Sequence, residues 1–224
     1  MGNQYRQHSK WYIYIVQGNM MSEYGYIPES PEQSFGNNKG IFTPKDIYDL
    51  TRADKYTNYG QLELIETKTI SSGSTLNFTS IGEDVYNVHF VTANNIESSS
   101  ANTGISIRLS NDSGSTYEAG TSYEKAVQYG GAIGNGESNS TGTSALPFTS
   151  DTANQNKGGY CYLYNLGDST KYSFQTFQSI EESYYQFGSG LYKTADEINA
   201  IQFLTTNTNV WTGTISLYGI KEYS

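Results

Sequence analysis

The 224 residues are enough for one domain of ordinary size, or a domain with an arm, and exclude a multidomain machine. Ile, Leu, Val and Phe sum to only 43 residues, just under the ~20% at which disorder becomes the default, but 21 tyrosines and 2 tryptophans add large buriable faces that this count misses. The formal charge is −9, and the acidic excess lies wholly in residues 61–224, so the body repels phosphate and excludes nucleic acid or an anionic membrane surface as a primary partner.

In chain order, the first run of interest is WYIYIV, from Trp11 to Val16, which is apolar in both alternating phases and isolated by polar sequence on each side. Such a strand needs cover on two faces. It is either an edge strand of the protein's own sheet or an arm that adds a strand to a neighbour, with Trp11, Tyr12, Ile13, Tyr14 and Ile15 as the docking residues. Residues 17–40 carry two of the four prolines and little periodicity, as an extended linker does. The expected organisation is an arm and linker over 1–40 and a β domain over 41–224.

TPKDIYDL predicts the one short helix. Thr43 caps, Pro44 suits the first helical position, Asp46 completes a capping box, and Ile47 and Leu50 share a face. Beyond it the pattern changes to period two. Leu62 and Leu64, Leu76 and Phe78, Tyr86, Val88 and Phe90, then Ile105, Ile107 and Leu109 alternate with polar neighbours, as half-buried strands do. Further strands are expected at 123–129, 160–166, 172–177, 198–204 and 210–220. NDSGS at 111–115 and GDST at 167–170 read as turns, the second short enough to close a hairpin. Residues 130–158 hold few large side chains and are expected to form a long loop, either a disordered excursion or a segment packed along a neighbour. Nine or so strands without interleaved helices predict an all-β fold, an antiparallel β-sandwich of jelly-roll, lectin-like type with an extended N-terminal arm.

Chemistry has few candidates. His8 lies in the arm. His89 lies opposite in phase to Tyr86, Val88 and Phe90, so it is expected to face outward, or inward on the second face of a two-sided sheet. Cys161 shares its phase with Leu163 and reads as a small buried hydrophobe rather than a nucleophile. Glu63 and Glu66 fall on opposite faces unless a bulge intervenes, and Glu181 and Glu182 diverge, so neither pair reads as a glycosidase dyad. The Asn111–Asp112–Ser113–Gly114 turn offers oxygens of the kind calcium takes, but a type I turn selects the same residues. No catalytic residue, metal or cofactor is therefore expected. Tyrosine is the remaining signal. Tyr184, Tyr185 and Phe187 form a candidate exposed aromatic patch for a glycan or a protein partner.

KGIFTPKDIYDLTRADKYTNYGQLELIETKTI (39–70), EDVYNVHFVT (83–92), GYCYLYNLGDSTKYSF (159–174) and WTGTISLYGIK (211–221) resemble sandwich-domain proteins of tailed bacteriophages of marine bacteria, such as cyanophages. These are strand and turn motifs that carry no catalytic residue, and the resemblance spans about 39–221. It implies a virion structural protein, tail-fibre-like or on the capsid surface. On that reading the arm docks to other virion proteins, subunits associate with a trimer favoured, and the sandwich meets a host surface glycan. The alternative is a free carbohydrate-binding module without catalytic activity.

Overall fold

The computed structural model describes residues 43–53, 61–100, 103–132, 134–149, 157–182, 184–205, 207 and 209–221, with the backbone of two short strands at 33–34 and 37–38. The chain divides into two compact units, Met1–Asn58 and Tyr59–Ser224.

In the first unit, β1 (Gln33–Ser34) pairs antiparallel with β2 (Asn37–Asn38) inside the stretch expected to be linker. The predicted helix is present as α1 (Pro44–Arg52). Its capping box is complete: the Asp46 amide donates to Thr43 Oγ1 at 3.2 Å, and Asp46 Oδ2 accepts from the Thr43 amide at 2.9 Å. Lys45 and Asp49 pair one turn apart on its surface. The arm residues Trp11, Tyr12, Ile13, Tyr14 and Ile15 lie outside the described residues.

The second unit is an antiparallel β-sandwich. Its strands are β3 (Leu62–Gly73), β4 (Thr75–Phe78), β5 (Val88–Ser98), β6 (Ile105–Ser110), β7 (Tyr123–Gly131) and β8 (Gly134–Thr143). They continue as β9 (Leu146–Pro147), β10 (Lys157–Tyr164), β11 (Ser173–Glu181), β12 (Tyr184–Tyr192), β13 (Ala200–Thr205) and β14 (Trp211–Ile220). One sheet runs β3-β14-β5-β10-β11-β12-β7-β8, and the other runs β4-β13-β6-β9.

Alternation supplies one shared core. Val91, Leu163, Phe177, Ile215 and Leu217 point in from the large sheet, and Phe78, Ile107, Leu109, Ile201 and Phe203 from the small one. Phe203 sits at the centre, 5.8 Å from Phe78 and 5.6 Å from Phe148 between ring centroids. The Leu109 amide donates to the Tyr123 hydroxyl at 2.9 Å and so ties the two sheets together. Turn chemistry closes the hairpins as expected. In GDST, Asp168 accepts from the Thr170 amide at 2.9 Å and from Lys171 Nζ at 2.6 Å, joining β10 to β11.

Two expectations fail for physical reasons. Most of 130–158 is not a loop: Gly130 and Gly131 end β7, β8 spans Gly134–Thr143, and Leu146 and Phe148 enter the core. β8 is an edge strand with no fully buried side chain, so it needs the backbone of β7 and not an apolar face. Gly and Ser suffice there, and no hydrophobic period marks it. The second failure is the phase of β5. Val88 and Phe90 face outward, whereas His89, Val91 and Ala93 face the core. His89 thus takes the inward alternative, because the outer face of this sheet is itself rich in apolar side chains.

Candidate binding face

The large sheet has a core face and an outer face of different chemistry. On the core face His89 is fully buried, and its Nε2–H donates to the Ile81 carbonyl at 2.9 Å. Burial holds its pKa below the ordinary histidine value, with the bond to Ile81 opposing, so the ring is neutral. Cys161 is fully buried, and desolvation pushes its thiol up to about 12, far from the thiolate a nucleophile needs. Lys157 and Glu181, both buried, lie 3.8 Å apart, and Lys157 Nζ also donates to the Thr103 carbonyl at 2.6 Å.

The other carboxylates serve the structure. Glu181 is buried and Glu182 exposed at a positive φ of 34°, so the two diverge as expected. A bulge opposite Leu217–Tyr218 puts Glu63 and Glu66 on the same side of β3, opposite Gly219 and Leu217. Each then finds its own partners: Glu63 accepts from the Tyr86 hydroxyl at 2.7 Å and pairs with Lys221 at 3.6 Å, while Glu66 pairs with Lys68 at 3.1 Å. Asp112 binds its own turn. The Thr116 amide (2.9 Å), the Thr116 hydroxyl (2.7 Å) and the Ser110 hydroxyl (2.7 Å) hold its pKa down to about 2. Among the described residues no three His, Cys, Asp or Glu side chains gather as a metal site would need.

The outer face is built from strand register. One row across the sheet reads Leu64, Tyr218, Phe90, Tyr162, Thr176 and Ser189. The row above it reads Leu62, Ile220, Val88, Tyr164, Phe174 and Leu191, and the row below reads Thr67, Ser216, Thr92, Tyr160, Gln178 and Phe187. Phe90 is the hub, with ring centroids 4.9 Å from Tyr162 and 6.0 Å from both Tyr160 and Tyr218. The Tyr160 hydroxyl donates to Gln178 Oε1 at 2.9 Å, and the Tyr164 and Thr176 hydroxyls share a bond at 3.3 Å. Ile180 is 60% exposed, Leu64 59%, Phe174 and Phe187 each 44%. In these rows and the next, which holds Thr69, Thr214, Asn94, Ile180 and Tyr185, no residue from β3 to β12 is charged; the outward carboxylates lie beyond them, at Glu97 near the end of β5 and at Glu124 and Glu137 on β7 and β8. Two shallow depressions cross this face. One of about 620 Å³ is lined by Gln128, Asn139, Thr176, Phe187 and Ser189, and one of about 450 Å³ by Phe90, Tyr160, Gln178 and Ile180.

The candidate patch at 184–187 is divided by the pleat. Tyr185 and Phe187 lie on the outer face with rings stacked at 7° and centroids 6.3 Å apart. Tyr184 occupies the other phase, where it stacks on Tyr129 at 5.7 Å, and therefore leaves the patch. Sequence reasoning missed the greater part of the face, including Phe90, Tyr160, Tyr162, Tyr164 and Tyr218. The readable signal was YCYLY in β10, apolar in both phases and hence patterned for two-sided cover.

No family model matches the chain, and no curated protein matches it.

Proposed function

We propose that this protein works by contact rather than turnover, as a structural component of a bacteriophage particle, tail-fibre-like or on the capsid surface. The N-terminal arm docks to other virion proteins and the sandwich presents its large sheet to a partner. One observation carries the contact reading: four rows of outward residues across six adjacent strands form an aromatic face without a charged side chain, on a chain of net charge −9. The phage assignment rests on the resemblance of 39–70, 83–92, 159–174 and 211–221. Its test is the arm. Deleting residues 1–39 should abolish incorporation into particles while leaving the strand spectrum of the body intact, and normal incorporation of the truncated chain refutes arm docking.

The parallel pair Tyr185 and Phe187 favours a second reading, a host-glycan contact, because coplanar rings offer a stacking platform to the apolar face of a sugar. Tyr185→Ala and Phe187→Ala should each weaken glycan binding by about 1–3 kcal/mol, by analogy with base stacking on aromatic side chains. Tyr184→Ala should not. A glycan array with no hit for the wild-type chain removes this reading.

A further inference from the structure

β10 and β11 are patterned for cover on both sides. β10 alternates buried Cys161 and Leu163 with outward tyrosines, and β11 turns Ser173, Gln175 and Ser179 inward while presenting Phe174 and Ile180 outward. On β11 the outward side is as apolar as the buried one. A strand facing water selects the opposite arrangement, so this sheet is built to carry another layer.

Charge and area together identify that layer. Two copies of an acidic chain meet favourably only across a surface without carboxylates, and four outward rows across β3, β14, β5, β10, β11 and β12 provide one, with Glu97 beyond their end on β5. Six strands spaced at ~4.8 Å, each with four outward residues ~6.8 Å apart, cover about 780 Å², close to the ~800 Å² per partner of a standard interface. Hydrogen bonding points the same way. The Tyr160 and Tyr164 hydroxyls are engaged with Gln178 and Thr176 inside the face, which leaves ring surface on offer rather than the donors and acceptors a sugar requires.

We propose that the outer face of the eight-stranded sheet packs against the same face of a second copy of this chain, as an isologous pair about a two-fold axis. The pairing deepens the contact reading given above and rests on the same face, but not on the phage assignment.

Analytical ultracentrifugation of the full chain from micromolar to submillimolar concentration tests it. The wild-type protein should sediment with twice the 24.8 kDa chain mass. The double variant Phe174→Glu with Ile180→Glu places like charges in the interface at exposed positions, and should raise the dissociation constant at least a hundredfold. Its circular dichroism and melting profile at concentrations where both proteins are monomeric should match the wild type, which separates lost pairing from lost folding. Asn77→Asp, at an exposed position on β4 of the other sheet, should pair normally. A wild-type chain that stays monomeric throughout overturns the proposal, as does a three-chain species or a pair that survives the double glutamate variant. So does a pair broken by Trp11→Asp with Ile13→Asp but kept by the face variant, which would assign the contact to the arm. A monomeric chain that binds a glycan array through Phe174 and Ile180 assigns the face to sugar instead. A wild-type chain that stays monomeric in solution yet is incorporated into particles refutes the pairing alone and leaves the virion reading standing.

Discussion

The two faces of the large sheet reverse the usual division of labour. Its core face holds His89, Lys157, Gln175, Ser179 and Glu181 among the aliphatic residues, and its outer face holds Phe90, Tyr160, Tyr162, Phe174 and Ile180. Polar groups are tolerated inside because the small sheet closes over them and several are tied to backbone or to one another; aromatic groups gather outside where water would otherwise select Lys and Glu. Burial in this chain is thus set by the presence of a covering layer and not by residue type, so the uncovered face is the one whose composition calls for a partner.

Substitutions on either side of the sheet test this assignment. The largest effect is expected inside: Lys157→Met leaves Glu181 buried without its cation and should cost about 3–5 kcal/mol in chemical denaturation. Replacing both with apolar residues of similar volume should restore most of it. Next comes a contrast within one strand. Leu163→Ala opens a cavity in the core and should cost about 2–5 kcal/mol, whereas Tyr160→Ala, 41% exposed, should cost under about 1 kcal/mol in the dilute monomer. Equal losses at the two sites would erase the distinction between the faces.

Titration gives smaller effects. His89 is held neutral by burial, so its folded-state pKa lies below the unfolded value of about 6.5, and the unfolded chain binds the proton first as pH falls. Its contribution is intact above pH 6.5 and is lost below it, at up to about 1.4 kcal/mol per pH unit, until the folded-state pKa is passed. Melting curves of the wild type and His89→Gln between pH 7 and 5 check this, since the variant should show the shallower slope. The smallest effect lies in turns that belong to neither face. Asp112 and Asp168 are held near a pKa of about 2, so the stability they add is full above the ordinary carboxylate value and is lost as pH falls toward 2. Asp112→Asn should melt slightly below the wild type at pH 7 and together with it at pH 2.

How much of this was legible depended on what each signal reports. The helix was readable to its cap because Thr43, Pro44 and Asp46 act locally. Nine of the sandwich strands showed their period, and the GDST hairpin showed its turn. β8 was hidden because an edge strand of Gly, Ser, Asn and Thr has no side chains to bury, and β9 because it spans only Leu146–Pro147. β12 was read as a patch and not as a strand, since YYQFGSGLY mixes aromatics with glycines that other backbone approaches closely: a Cβ on Gly188 would stand 2.2 Å from the Ala126 carbonyl oxygen. The phase of β5 was read wrongly for a different reason. Bulk in Tyr86, Val88 and Phe90 outweighed Val91 and Ala93, and alternation states that two faces differ without stating which one is covered.

The single cysteine closes on a practical property of the chain. Cys161 sits in the fourth of eight strands, fully buried, with its thiol pushed up to about 12. A maleimide or an oxidant reaches it only when the sheet opens, so the rate of thiol labelling counts opening events one molecule at a time. The folded protein thereby carries its own clock, silent while the sandwich is closed and started by the first loss of its central strands.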